Sequence, residues 1–134
     1  LETDSYEKAK ILYRIASSFK KKGSYGTARN YYRKALKANP SMGRCHLAIA
    51  SMYASSANNC GDTVFNKRAV YWLAAQEAAK AGRVDPNLRK SASKSVASYN
   101  AKAPTKAMIF TEGNSGQTIT FKCWIGGSVK VPSL

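Results

Sequence analysis

Acidic residues are scarce in this sequence, and histidine is almost absent. Seven Asp and Glu residues stand against 22 Lys and Arg residues and a single His, which gives a formal net charge of +15 at pH 7. A hydrolytic site needs two facing carboxylates or a nucleophile beside a base. The acids are scattered from Glu2 to Glu112. The sequence therefore predicts a protein that is not an enzyme.

Closely spaced metal ligands are also lacking. A structural zinc site needs four ligands, which usually come as closely spaced pairs. Only Cys45 and His46 are neighbours, and Cys60 and Cys123 lie far along the chain. No glycine-rich phosphate loop occurs either. We therefore predict no metal site and no cofactor.

Long hydrophobic runs are missing too. No stretch approaches the roughly 20 apolar residues of a membrane-spanning helix, so no transmembrane segment is predicted. The chain of 134 residues begins at Leu1 rather than Met, and we expect it to be an internal or processed fragment. This length suffices for one compact domain.

What the sequence does contain is a repeat. Its first copy consists of apolar and small residues at helix-turn-helix spacing: Leu12, Ile15, Ala16, Phe19, Ala28, Tyr32, Ala35 and Pro40. Adding 34 carries Ile15 to Ile49 and Phe19 to Tyr53, a period typical of helical repeats. For the second helix the offset grows to 46, as from Ala28 to Ala74. We therefore predict an insertion at about 54–68.

Hydrophobic periodicity and turn residues predict the elements of this repeat region. Apolar residues at i, i+3, i+4 and i+7 indicate amphipathic helices. Ser41 is expected to cap the third helix, Asp62 or Thr63 the fourth, and Asp85-Pro86 to begin the last. The predicted helices are 5–22, 25–38, 42–55, about 63–82 and 85–100.

The C-terminal segment changes to a two-residue period. Thr118, Thr120 and Lys122 alternate with apolar or small residues. Gly126-Gly127 offers a two-residue turn into 128–131, which predicts a β-hairpin. We divide the chain into a helical repeat region, 1–103, and a hairpin tail, 104–134, packed on the last helix.

The repeat residues resemble the tetratricopeptide-repeat (TPR) family over about residues 1–100. The resemblance implies an all-α TPR solenoid of two repeats plus a third capping helix, followed by the short hairpin. It also implies a non-enzymatic scaffold that binds partner proteins. Four later motifs resemble Bacteroidetes-type TPR proteins of the cell envelope: Ala69-Val70-Tyr71-Trp72-Leu73-Ala74-Ala75, Val84-Asp85-Pro86, Pro104-Thr105-Lys106 and Cys123-Trp124-Ile125-Gly126. That similarity favours the bacterial periplasm or envelope, with the cytoplasm as the alternative.

The basic residues suggest where a partner binds. No acid lies between Glu7 and Asp62, and such a surface attracts anions. In the TPR family the first helix of each repeat lines a concave groove, so we expect a basic groove that binds an anionic or carboxylate-ended protein segment. Its predicted residues are Lys10, Tyr13, Arg14, Ser17, Lys21, Arg44, Lys90 and Lys94.

Other interpretations of this charge remain open. A dense Lys/Arg surface also binds nucleic acid, and Tyr25, Tyr31 and Tyr32 lie among the basic residues, where they could stack on bases. Anionic lipid or surface glycan is a third partner class. A merely solvated basic face is the fourth interpretation.

The cysteines leave two alternatives. Cys45 is expected to be a small core residue on a helix. Cys60 lies in the insertion and Cys123 in the hairpin. A disulfide between these two would suit an exported protein, and three free thiols are the alternative.

Overall fold

A computed structural model describes residues 2–134 of the chain, with side chains from residue 3; Leu1, the first residue of the predicted repeat region, lies outside the described residues. The chain forms helices followed by a two-stranded antiparallel sheet. The elements are α1 (Glu2–Lys21), α2 (Tyr25–Ala38), α3 (Arg44–Ser55), α4 (Ala57–Cys60), α5 (Val64–Val84), a 3₁₀ turn (Pro86–Leu88), α6 (Arg89–Lys102), α7 (Lys106–Glu112), β1 (Thr118–Thr120) and β2 (Ser128–Lys130).

The helices pack as successive helix-turn-helix units, which confirms the predicted repeat fold. α1 packs against α2, α3 against α5, and α5 against α6. Buried alanines such as Ala16, Ala28 and Ala74 lie at the contact faces, and small side chains allow helix backbones to approach closely. The largest buried side chains of the shared core are Tyr32, Ile49, Met52 and Phe121.

α1 is covered on one side only. Ala9 and Ala16 are fully buried, whereas Ile11 is 56% exposed and Ile15, a residue of the repeat pattern, is 37% exposed. Ile15 is therefore only partly covered by the rest of residues 2–134. The periodicity therefore identified the helix correctly and overestimated the burial of this position.

The predicted insertion, 54–68, contains the end of α3, a short helix and the start of α5. α3 extends to Ser55, α4 forms a single turn that the sequence analysis missed, and α5 already begins at Val64. The predicted cap of α5 is confirmed, since Thr63 Oγ1 accepts a hydrogen bond from the Asn66 N–H at 3.1 Å.

The start of α3 differs from the prediction. α3 begins at Arg44 after Gly43, not at Met42 after a Ser41 cap, and no side chain caps it. Gly43 lies against the end of α5, where an added Cβ would come within 2.7 Å of the Ala81 carbonyl oxygen. Close packing of the two helices, rather than a capping hydroxyl, positions this helix end.

The tail contains a helix as well as the predicted hairpin. α7 was missed: Thr105 caps it by accepting from the Met108 N–H, and Gly113 ends it in the left-handed conformation. The hairpin pairs Ile119 with Val129, but residues 121–127 form its connection, so the predicted two-residue Gly126-Gly127 turn is wrong.

The tail also packs one helix earlier than predicted. β2 lies against α5, and Phe121, Ile125 and Val129 enter the main core. Ile109 and Val131 form a smaller cluster with Phe65 at the start of α5. The lengthened α5 offers an apolar side for these residues, whereas α6 buries only Ala92.

Candidate functional site

Three of the predicted groove residues meet where α1 approaches α3. The Arg44 guanidinium lies over the Tyr13 ring, with 4.3 Å from Cζ to the ring centroid, within the distance for a cation–π interaction. The Tyr13 ring packs edge-on against Tyr32 at 5.4 Å between centroids. The hydroxyls of Ser17 and Tyr32 are hydrogen-bonded at 2.9 Å. The Tyr13 and Tyr32 side chains and the Ser17 hydroxyl thus form a surface, which we call the floor. The Arg44 cation lies over its Tyr13 ring.

Tyr32 supports this floor from the core. Burial raises the pKa of its phenol, and the hydrogen bond with Ser17 only partly offsets that effect. The phenol therefore stays neutral at physiological pH. Tyr32 is a fixed hydrogen-bonding group rather than an acid or base.

The other predicted cations of α1 are exposed at the edge of this floor. Lys10 pairs with Glu7 at 3.3 Å, with both side chains mostly in solvent, and exposed pairs of this kind contribute little. Arg14 and Lys21 are exposed, and neither forms an ion pair within residues 3–134. We call these six residues the α1–α3 face: Lys10, Tyr13, Arg14, Ser17, Lys21 and Arg44.

Lys90 and Lys94, the other two predicted groove cations, belong to α6. Both are exposed on α6, which packs against α5. Within the described side chains, neither makes a salt bridge or a side-chain hydrogen bond. The structure thus joins Tyr13 of α1 to Arg44 of α3, and no salt bridge among the described residues joins Lys90 or Lys94 to them.

A buried polar cluster escaped the sequence analysis. His46 Nδ1 and Glu77 Oε2 are hydrogen-bonded at 2.5 Å, and Lys80 Nζ lies 3.5 Å from Glu77 Oε1. Burial by itself would raise the pKa of Glu77, but the His46 hydrogen bond and the Lys80 charge outweigh it, so the pKa lies below its usual value. One signal was present: adding 34 to Leu12 gives His46, a polar residue at an apolar repeat position.

Two arginines use their donors to hold backbone carbonyls. Arg29 donates to the carbonyl oxygens of Ile125 at 2.7 Å and Trp124 at 3.0 Å. Arg68 donates to those of Lys102 and Ala103, at the end of α6. The hydrogen bonds of these two arginines stabilise the fold, and neither residue forms part of the α1–α3 face.

The cysteines separate into a bonded pair and a buried thiol. Cys60 and Cys123 form a disulfide with their Cα atoms 5.2 Å apart. Cys45 is free and buried, and burial raises its pKa to about 12, so it is unreactive at neutral pH. Within the described part of the chain, no three His, Cys, Asp or Glu residues are placed to hold a metal ion.

No helix among the described residues is both long and apolar enough to cross a membrane.

The tyrosines considered for base stacking pack against other aromatic rings of the protein. Tyr25 packs edge-on against Trp124 at 5.6 Å, and Tyr31 stacks on Phe19 at 5.5 Å.

Comparison with known proteins identifies the first repeat. Residues 5–42, which span most of α1, all of α2 and the turn after them, match the tetratricopeptide repeat. Comparisons with curated proteins and with solved structures give no match. Tetratricopeptide repeats generally mediate protein–protein interaction and form non-catalytic scaffolds. Residues 5–42, in α1 and α2, are therefore similar to a tetratricopeptide repeat, and the described residues form a helical-repeat fold.

Proposed function

We propose that this protein is a non-enzymatic scaffold that binds an anionic or carboxylate-ended segment of a partner protein in a basic groove. The groove comprises the α1–α3 face together with Lys90 and Lys94 of α6. The observation that carries the proposal is the Arg44 guanidinium over the Tyr13 ring, with Lys10 and Arg14 exposed on the same helix as Tyr13.

The chemistry of this face favours a carboxylate. Stacking on Tyr13 holds the Arg44 guanidinium in one orientation, and an oriented guanidinium donates two parallel hydrogen bonds to a carboxylate. The Ser17 and Tyr32 hydroxyls are already hydrogen-bonded to each other. The attraction for a carboxylate therefore comes from the cationic side chains. Lys10 and Arg14 add like charge on the same side of the helix, which a bound anion would relieve.

The proposal includes an exported location, in the bacterial periplasm or envelope. The Cys60–Cys123 bond supports it, because disulfides persist in oxidising compartments and are rare in the cytoplasm. The four C-terminal motifs that resemble envelope TPR proteins point the same way.

The test measures binding of defined probes by fluorescence anisotropy. The probes are an acidic peptide with a free C-terminal carboxylate, the same peptide with an amidated C-terminus, and a single-stranded oligonucleotide. We compare the wild type with Lys10→Ala/Arg14→Ala/Lys90→Ala/Lys94→Ala. A charge-matched control, Lys67→Ala/Lys106→Ala/Lys122→Ala/Lys130→Ala, removes four cations elsewhere.

We expect the acidic peptide to bind the wild type and to lose about tenfold or more in affinity with the groove variant, since charge-assisted hydrogen bonds contribute about 1.5–3 kcal/mol each. The control should bind nearly as the wild type does. Equal weakening by both variants would reduce the interaction to net charge and overturn the groove. Tighter binding of the oligonucleotide than of either peptide would move the function to nucleic acid.

The same two variants also serve in a pull-down from the native host's envelope and soluble fractions, with nuclease treatment in parallel. Protein recovery that survives nuclease and depends on the groove cations supports the scaffold. Recovery that disappears with nuclease contradicts it.

A further inference from the structure

A second basic site lies between α2, α5 and the tail. A cleft of about 410 Å³ is lined there by Arg29 and Arg33 of α2, Glu77 and Lys80 of α5, and the tail residues Gly127 and Ser128. None of the residues assigned to the basic groove lines it. No sequence pattern predicts this group of residues, because they come from three distant segments of the chain.

Among the described side chains, no acid neutralises the Arg29 charge. Its guanidinium donates to the neutral oxygens of Trp124, Ile125 and the Tyr53 hydroxyl, and it lies 5.0 Å from the Trp124 ring centroid. No carboxylate among the described side chains pairs with it. Carbonyls and rings hold the guanidinium in place without neutralising it, so its field extends into the cleft.

Arg33 and Lys80 add mobile cations at the cleft mouth. Arg33 is exposed and has no acidic partner within residues 3–134. Lys80 reaches Glu77 at 3.5 Å with half its side chain in solvent. Glu77 is the cleft's one carboxylate, and its other oxygen is bound to His46. Three cations therefore face one carboxylate that is already paired, which leaves two positive charges uncompensated.

The tail side of the cleft leaves room for an anion. Gly126 and Gly127 present backbone without side chains, and the Ser128 hydroxyl lies beside them, bonded to Thr120 Oγ1 at 3.0 Å. Compact oxyanions bind where cationic side chains meet small residues that let the anion approach the backbone.

We propose that this cleft binds a compact, doubly charged oxyanion of the phosphate type, either free phosphate or a phosphate monoester. A dianion matches the two uncompensated charges. Arg33 and Lys80 bind it directly, and Arg29 supplies a fixed field behind them. The site is independent of the groove, since it shares no residue with it.

The test is a titration of the isotope-labelled full chain with inorganic phosphate at constant ionic strength, followed by NMR of backbone amides. Arg33→Gln/Lys80→Gln removes the two direct ligands, and Lys106→Gln/Lys130→Gln removes two exposed cations elsewhere. We expect saturable shifts confined to residues near 29, 33, 80 and 126–128 in the wild type. Affinity should fall about tenfold or more in the cleft variant and stay unchanged in the control.

Shifts spread over all basic surfaces without saturation, or equal binding by the cleft variant and the wild type, would overturn the site. Phenyl phosphate separates the two sources: tighter binding than inorganic phosphate assigns a monoester, and weaker binding assigns free phosphate. The groove variant should bind phosphate as the wild type does. Loss of peptide binding and loss of phosphate binding are thus separately observable.

Discussion

Glu77 is a buried carboxylate whose ionised form depends on two neighbours. Its hydrogen bond to His46 and its ion pair with Lys80 hold its pKa below the usual value despite burial. His46 occupies the repeat position of Leu12, a polar residue at an apolar position whose meaning the repeat pattern alone did not reveal. Its partner comes from α5, 31 residues away, and only the packing of α3 on α5 selects it.

The first prediction concerns this pair. His46→Leu should lower the free energy of unfolding by about 1–3 kcal/mol, because it leaves a buried carboxylate short of a hydrogen bond. His46→Leu/Glu77→Leu should recover most of the loss, since replacing both members of a buried pair is often neutral or stabilising. Urea unfolding at pH 7 measures both. A single variant as stable as the wild type would contradict the assignment.

The second prediction concerns pH. Because the pKa of Glu77 is lower in the folded state, its carboxylate stabilises the fold fully above the unfolded pKa of about 4.3. That contribution is lost as pH falls through the lower folded pKa. Urea unfolding at decreasing pH should show the wild type losing stability that His46→Leu/Glu77→Leu does not lose, so the two curves, close together at pH 7, separate at acid pH. Parallel curves over the whole range would refute the linkage.

For individual elements, the sequence predicted the ends of a helix correctly where turn-forming residues flank both ends. α2 runs over Tyr25–Ala38 as predicted, since Gly23 and Asn39-Pro40 flank it. α7 was missed although Thr105 and Gly113 mark its ends, because the alternation of 118–123 was extended back to Ala107. The hairpin connection and the start of α3 depend on contacts with α5, which no local pattern contains.

The third prediction tests the contact between α3 and α5. Gly43→Ala should destabilise the protein by about 1–3 kcal/mol, because its Cβ would overlap the Ala81 carbonyl and force the helices apart. Gly26→Ala, within α2, is the matched control: its Cβ meets nothing within 4 Å, and Ala should stabilise a helix by up to about 1 kcal/mol. Thermal unfolding of both variants measures these changes in stability. Equal changes would show that helix propensity alone operates.

For the whole molecule, the tail is part of the core rather than an appendage. Arg29 holds the Trp124 and Ile125 carbonyls, Trp124 Nε1 donates to Ser56 Oγ at 2.9 Å, and Phe121 is buried among the repeat helices. The alternation in the tail predicted a hairpin. Its place on α5 could not be predicted, because Arg29 is 95 and 96 residues away from Trp124 and Ile125 in the sequence.

The last prediction concerns the disulfide. Reduction should raise the intact mass by two hydrogens and lower the free energy of unfolding by about 2–4 kcal/mol, the usual range for such bonds. Cys60→Ser/Cys123→Ser should reproduce the loss without reductant, and Cys45→Ser serves as the control that keeps the bond. Three titratable thiols in the unreduced, denatured protein would contradict the bond and the exported location.

The position of that bond also fixes the connectivity of the chain. α5, α6, α7 and β1 all lie between Cys60 and Cys123, so they belong to one covalently closed ring. A protease that cleaves one peptide bond anywhere in 61–122 opens the ring without dividing the molecule. On a denaturing gel, such a nicked protein would still migrate as one species. After a reductant is added, it would separate into two fragments.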